Sequence, residues 1–251
     1  MIDDTSKVVI SSLEIDGYTI SGVKDEYLFE TMCETQNFYE ADKLKAWTPY
    51  LPNEGIILDI GSNIGNHSLY WNKYLPNVDK IYAFEPLEVT FNLLSSNIEN
   101  NNLTKVGIEN CCVGRETSFA QPTSVSTKKL NCTQFDYCND EKTGIQVVTV
   151  DDFSKRNNLT NISFMKIDTE GFEYEVLLGA KEVLMIQKPM IWVEISPKTI
   201  EDVTNLLDDS GYVVIAISER DIVCIHKSKV TEKIGGGGFG NTNILTGEKS
   251  I

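Results

Sequence analysis

Ile56-Ile57-Leu58-Asp59-Ile60-Gly61-Ser62-Asn63-Ile64-Gly65-Asn66-His67-Ser68 runs from an apolar, β-branched segment through a glycine-bearing turn into a polar stretch. A strand meeting a helix through such a turn opens the nucleotide crevice of α/β sheets. Gly61 permits a tight turn and close ligand approach, and Gly65 lets the helix pack near the strand. The pattern is not Gly-x-Gly-x-x-Gly, because Asn63 stands where a second glycine would be. It also lacks Gly-Lys-Ser/Thr, which excludes a P-loop. Asp59, near the strand end, is a poor neighbour for a pyrophosphate and a good one for a positively charged ligand.

Outward from this segment the pattern alternates. Short apolar runs at residues 80–85, 107–113, 163–168, 190–195 and 212–217 read as strands. Helical stretches lie between most of them, to about residue 74 and over 86–101, 174–187 and 199–210. This alternation predicts an α/β fold, a mostly parallel sheet with helices on both faces. Residues 24–50 read as helical, with Tyr27, Leu28, Phe38, Tyr39, Leu44 and Trp47 on an irregular apolar face closed by Pro49 and Pro52. Residues 1–54 are therefore expected to be a helical cap, and 55–228 the main domain. Residues 115–150, rich in Ser, Thr, Gln and Asn, predict β-hairpins or a substrate-facing excursion. Residues 222–226 are strand-like. Within 229–251, the run Gly235–Gly238 predicts a linker into a last antiparallel strand near Asn243–Leu245, or else a disordered tail.

Composition narrows the partners. The chain of 251 residues carries 37 acidic against 22 basic side chains, a net charge of -15. Such a surface repels phosphate backbones and anionic lipid, which argues against nucleic acid or membrane as partner. The acidic start, Met1-Ile2-Asp3-Asp4, lacks signal-peptide character, and no apolar run approaches the roughly 18 residues of a membrane span. The six cysteines (33, 111, 112, 132, 138 and 224) form no Cys-x-x-Cys pair, and the two histidines make a Cys/His zinc site improbable. Reduced thiols and a cytoplasmic location are the expectation. Sequons at Asn66, Asn102, Asn131, Asn158 and Asn161 read as accidents of an Asn-rich chain, since a glycan on Asn66 would block the turn.

The strand ends carry the chemistry. Glu85 lies 20 residues beyond Gly65, where an acid can take both ribose hydroxyls of a nucleotide; the competing role is a carboxylate serving the dipole of a helix begun by Pro86. Lys166, Asp168 and Glu170 are spaced by two and point to one face while the strand persists. Three ionisable groups on an apolar strand are costly unless they meet a ligand or each other, so a structural Lys166–Asp168 ion pair stays open beside a ligand site. Glu194 would emerge at the same rim, where Asp168 and Glu194 could also form the carboxylate pair of a hydrolase. Glu173 and Glu175 read as first-turn helix acids. His67 reads first as a packing or surface histidine, with a role near the turn as its alternative, and His226 as structural.

Asp59-Ile60-Gly61-Ser62-Asn63-Ile64-Gly65, Phe84-Glu85-Pro86, Val150-Asp151-Asp152-Phe153, Lys166-Ile167-Asp168-Thr169-Glu170-Gly171-Phe172-Glu173, Leu177-Leu178-Gly179-Ala180 and Val193-Glu194 occur in this order. Over about residues 55–200 the chain resembles the FkbM family of S-adenosylmethionine-dependent methyltransferases. The resemblance implies a class I methyltransferase-like Rossmann fold, a seven-stranded, mostly parallel sheet with an antiparallel last strand. It implies methyl transfer from S-adenosylmethionine to a hydroxyl of a sugar, glycan or polyketide. Carried over, Asp59, Gly61, Ser62, Asn63 and Gly65 would form the turn around the amino-acid part of the cofactor, with Asp168 reaching it from the fourth strand. Glu85, with Pro86, would hold the ribose, and Cys112 and Val113 would border the adenine. The cofactor's sulfonium and lack of phosphate agree with the acidic strand ends.

Deprotonating the acceptor hydroxyl would fall to Asp168 first or Glu194 second, with Glu170 orienting the acceptor or Lys166. The alternative is a divalent ion held by Asp168, Glu170 or Glu194. A nucleic-acid methyltransferase is opposed by the charge and by the absence of an Asn/Asp-Pro-Pro-aromatic run. A dinucleotide oxidoreductase is opposed by the imperfect glycine pattern, and a catalytically inactive binding module by the presence of Asp59, Glu85, Asp168 and Glu194 together.

Overall fold

The computed structural model describes residues 8–123, 130, 133–218 and 220–230. In chain order the elements are β1 (Ile10–Ile15), β2 (Tyr18–Val23), α1 (Tyr27–Thr35), α2 (Ala41–Trp47), β3 (Ile56–Ile60), α3 (Asn66–Tyr74), β4 (Lys80–Phe84), α4 (Glu88–Asn100), β5 (Val106–Glu109), β6 (Cys112–Val113), β7 (Ser118–Pro122), β8 (Phe135–Cys138), β9 (Ile145–Val148), α5 (Val150–Arg156), β10 (Ile162–Ile167), α6 (Glu173–Leu178), α7 (Lys181–Ile186), β11 (Met190–Glu194), α8 (Ile200–Asp209), β12 (Tyr212–Ile217) and β13 (Asp221–His226).

Seven strands form one sheet in the order β12-β13-β11-β10-β3-β4-β5. All run parallel except β13, which is antiparallel to both neighbours. This is the expected α/β sheet with an antiparallel last strand. β3 lies inside the sheet, between the middle strand β10 and β4, pairing Asp59 with Lys166 of β10 and with Ala83 of β4. Its run of apolar residues has the character of a strand covered on both faces. One core, including Leu69, Trp71 and Leu93, lies under α3, α4 and the N-terminal elements. The other, including Phe153, Val176, Val183 and Val203, lies under α5 to α8. No helix among the described residues is long and apolar enough to cross a membrane.

Four expectations need correction. The N-terminal segment is not wholly helical, because β1 and β2 pair as an antiparallel hairpin before α1. Asp16-Gly17, both at positive φ, form its two-residue turn, and Asp-Gly between alternating apolar residues is a strong hairpin signal. Second, the third strand is broken. β5 ends at Glu109, and β6 leaves the main sheet to pair with β9 in a separate sheet ordered β6-β9-β7-β8. Third, the helix over 174–187 is two helices parted at Gly179-Ala180. A Cβ on Gly179 would lie 2.0 Å from the Gly114 carbonyl oxygen, and the Asp151 carboxylate accepts from the amides of Glu182 and Val183 to start α7. Fourth, the helix expected from Pro86 begins at Glu88. The segments at Gly235–Gly238 and Asn243–Leu245, with Asn131 and Cys132, lie outside the described residues.

The hairpin is tied to the main domain by two asparagines of α4 and its cap. Fully buried Asn97 accepts from the Ser21 amide (2.7 Å) and donates to the carbonyls of Ser21 (3.0 Å) and Ile64 (2.9 Å). Asn101 makes the same two-way bond to Thr19.

Candidate active site

A cavity of about 380 Å³ opens at the carboxyl ends of β3, β4, β10 and β11. One end is formed by Gly61, Ser62 and Asn63 of the first turn, by Glu85, Pro86 and Leu87 after β4, and by Cys111, Cys112 and Val113. The turn is tight for a steric reason. Gly61 has φ +84°, and a Cβ there would lie 1.8 Å from the Asp168 carbonyl oxygen. Only glycine lets the ends of β3 and β10 approach this closely.

Glu85 is buried beneath the turn and organises it. Its Oε2 accepts from the Asn63 amide (2.9 Å), and its Oε1 from the Leu87 amide (3.0 Å) and Thr90 Oγ1 (2.6 Å). Burial pushes its carboxyl up to about 7, against these hydrogen bonds, which favour the charged form.

Asp59 and Gly65 do not line this cavity. Asp59 is fully buried behind the turn, where its Oδ2 accepts from Ser68 Oγ at 2.6 Å in the first turn of α3. Its position before Ile60 turns its side chain away from the rim. Gly65 caps α3 at φ +89°, with Leu94 and Leu69 occupying the space of a Cβ.

At the other end Asp168, Glu170 and Glu194 converge, with one oxygen of each within 4.8 Å of the others. Lys166, expected on the same face, is buried under this rim and donates from Nζ to Asp168 Oδ2 at 2.6 Å. Burial opposes the Lys166 charge, but Asp168 and Asp59 outweigh it and raise its pKa. Burial also opposes ionisation of Asp168; the attraction of Lys166 and a hydrogen bond from Glu194 prevail and hold it below the usual range. Glu194 is driven the other way, first by burial and then by the Asp168 charge. The surroundings thus favour the ionised form of Asp168 and the protonated form of Glu194. Arg220 Nη2 completes the rim, 2.7 Å from Glu194 Oε1. Glu170, at φ +54°, is pushed up to about 7 by burial and by the Asp168 charge.

The loop carrying these groups is held by Glu173, which is not a solvent-facing helix acid. Buried, it accepts from the Thr169 amide and hydroxyl (both 3.1 Å) and from the Gly171 amide (2.9 Å). Glu175 does lie on the outer side, near Arg115.

Tyr39, Glu40, Lys43, Thr133, Phe135, Ser218 and Asp221 also line the cavity and escaped the sequence reading. Lys43 bridges Glu40 (2.5 Å) and Asp221 (2.6 Å), and Asp221 accepts from the Trp192 indole at 3.1 Å. His67, buried, also faces the cavity. His226 lies elsewhere, with its ring against Tyr212.

A profile of the methyltransferase FkbM domain matches residues 59–214. The chain belongs to the FkbM methyltransferase family. Methyltransferase 1 of Beauveria bassiana is 30% identical over 158 residues, 55% of this chain and 63% of that protein. Methyltransferase sdnD of Sordaria araneosa is 24% identical over 205 residues, 69% of this chain and 76% of that one. The crystal structure of an FkbM methyltransferase from Methylobacillus flagellatus KT has a similar fold, with TM-score 0.50 and 17% identity over 68% of this chain and 43% of that chain. The FkbM chain described here thus matches less than two thirds of the Beauveria protein and less than half of the Methylobacillus one.

Proposed function

We propose that this chain transfers a methyl group from S-adenosylmethionine to a hydroxyl of a sugar, a glycan or a related small molecule. One observation carries the reading. The Gly61–Asn63 turn with Glu85 faces the same cavity as the converging carboxyls of Asp168, Glu170 and Glu194.

The residues fit the cofactor. S-adenosylmethionine, when bound, supplies an electrophilic methyl on a sulfonium cation. Glu85 Oε2 accepts one protein hydrogen bond and has a second acceptor position for a ribose hydroxyl. Gly61, Ser62, Asn63 and Asp168 would surround the amino-acid part, and Cys112, Val113 and Leu87 the adenine. The acidic lining complements a cation that carries no phosphate.

Proton removal falls to Glu170 on this reading, although Asp168 was the first expectation. Asp168 is held ionised by Lys166 and already accepts from Glu194, which makes it a weak base. Glu170, raised to about 7, has the better match to a base working near neutrality. Asp168 and Glu194 would then align the hydroxyl. Asp168 and Glu194 are already partnered by Lys166 and Arg220, and we assign no step to a divalent ion.

The cofactor reading is tested by thermal unfolding. S-adenosylmethionine or S-adenosylhomocysteine should raise Tm and NAD should not, with the rise lost in Glu85→Ala. No rise with either ligand overturns it. Methyl transfer to saccharide and small-molecule acceptors should then proceed equally with and without a chelator.

A further inference from the structure

We infer that Tyr39 is a further catalytic residue, whose phenol donates a hydrogen bond to the oxygen being methylated and holds it in line with the methyl group. The inference rests on the methyltransferase reading above. It draws on a residue outside the matched region 59–214.

The sequence places Tyr39 on an irregular apolar helical face; it lies instead between α1 and α2, on a fixed backbone. Phe38 before it is buried against Tyr70, with ring centroids 5.3 Å apart. Asn66, buried directly after the cofactor turn, accepts from the Tyr39 amide (2.9 Å) and donates to the Tyr39 carbonyl (3.1 Å). The Tyr39 ring meets Tyr27 edge to face at 6.2 Å, and the half-buried residue lines the cavity. The phenol is thus tied to the helix start that follows the glycine turn.

The cavity is rich in acceptors, and its other donors are engaged. Ser62 donates to the Phe84 carbonyl (3.2 Å), Thr169 to Glu173 (3.1 Å) and Ser218 to Asp221 (3.1 Å), while the Thr133 hydroxyl oxygen is enclosed. Lys43 is held by Glu40 and Asp221, and Arg220 by Glu194. The Tyr39 phenol makes no hydrogen bond among the described residues. Burial, then the charges of Glu40 and Asp168, push its pKa up to about 12, so it is a donor at neutral pH and not a base.

Tyr39 and Glu170 line one cavity and lie in the field of the same two charges, Asp168 and Arg220. They face that space from different elements, one from the N-terminal segment and one from the loop after β10. A hydroxyl between them has three directions to satisfy. Its hydrogen goes to Glu170, one lone pair attacks the methyl carbon, and the other lone pair calls for a donor. Asp168 and Glu170 have no hydrogen to give, and Glu194 donates its own to Asp168. The phenol supplies the missing bond. As the O–C bond forms and the C–S bond breaks, the electron pair stays on sulfur, the hydroxyl proton passes to Glu170, and Tyr39 keeps its hydrogen. Fixing all three directions orients the oxygen for displacement.

The chain has ten tyrosines, and labelling them with carbon-13 at the phenol carbon lets Tyr39→Phe identify the Tyr39 resonance. Spectra are recorded with saturating S-adenosylhomocysteine and with saturating S-adenosylmethionine, which differ by one methyl and one positive charge. The Tyr39 resonance should differ between the two complexes. That of Tyr212, buried against His226, should not. With the saccharide and small-molecule acceptors named above, Tyr39→Phe should lower kcat roughly tenfold and leave KM for S-adenosylmethionine within about twofold and Tm unchanged. A Tyr39 resonance identical in both complexes overturns the inference, whether or not any acceptor is turned over. Wild-type kcat in Tyr39→Phe, or a loss of kcat that comes with a fall in Tm, overturns it too. Failure of both cofactor forms to bind overturns the reading beneath it as well.

Discussion

Lys166 donates from Nζ to Asp168 Oδ2 at 2.6 Å, two residues along the same strand, with the ammonium buried and the carboxylate at the cavity wall. A single buried cation thus sets the charge of the rim. It favours the ionised form of Asp168, while burial and then the Asp168 charge favour the protonated form of Glu194.

Removing Lys166 should cost stability as well as activity. Lys166→Met keeps the aliphatic bulk but leaves Asp59 and Asp168 without their cation, a loss of roughly 3–5 kcal/mol for breaking a buried pair. Urea unfolding of Lys166→Met, Asp168→Asn and the double variant should show a coupling above about 1 kcal/mol. Additive effects would contradict the pairing.

Activity should rise as pH passes through about 7, because Glu170 must be deprotonated to accept the hydroxyl proton. Glu170→Gln should lower kcat by about 100-fold or more while S-adenosylhomocysteine still binds. A variant that keeps both wild-type kcat and the same acidic limb would show that another group is the base.

Glu194 gives a stability prediction of definite sign. Its folded pKa is raised above the ordinary 4.5, so the folded chain holds a proton that the unfolded chain releases. Stability from this group is full below about 4.5 and is lost as pH rises through the folded value. Glu194→Gln mimics the protonated acid, since its amide can donate to Asp168 and accept from Arg220. The variant should match wild type near about pH 5 and exceed it by about 1–3 kcal/mol near about pH 9. An equal difference at both values would refute the protonated form of Glu194.

Asn97→Ala should cost about 2 kcal/mol, because it strands the Ser21 amide and carbonyl and the Ile64 carbonyl. In a chain of this size that is a fall in Tm of roughly 5 °C. A change below about 1 °C would mean that the hairpin does not depend on this anchor.

Much was legible in local pattern. The strands about Ile56–Ile60, the residues of β10 and the glycine turn announce themselves through apolar runs and backbone freedom, which depend on neighbouring residues alone. Glu85, Asp168, Glu170 and Glu194 were legible because ionisable side chains at apolar strand ends are conspicuous. The missed elements had weaker local marks. The Asp16-Gly17 turn is a readable hairpin signal, while the break between β5 and β6 is marked only by the polar pair Glu109-Asn110, which is too short to tell from the polar positions of a continuing strand. Asp59 looked like a cavity residue because strand-end position does not say which face a side chain takes.

The sequence by itself determined an α/β sheet, its ligand rim and family resemblance, because hydrophobic period and turn chemistry are local. The tertiary structure alone decided which acids are ionised and which face the cavity. Glu40 beside His67 and Lys43 beside Asp221 are meetings of elements far apart in the chain. Burial and the charge of the nearest partner set protonation, and both exist only once the sheet and its N-terminal elements have packed together.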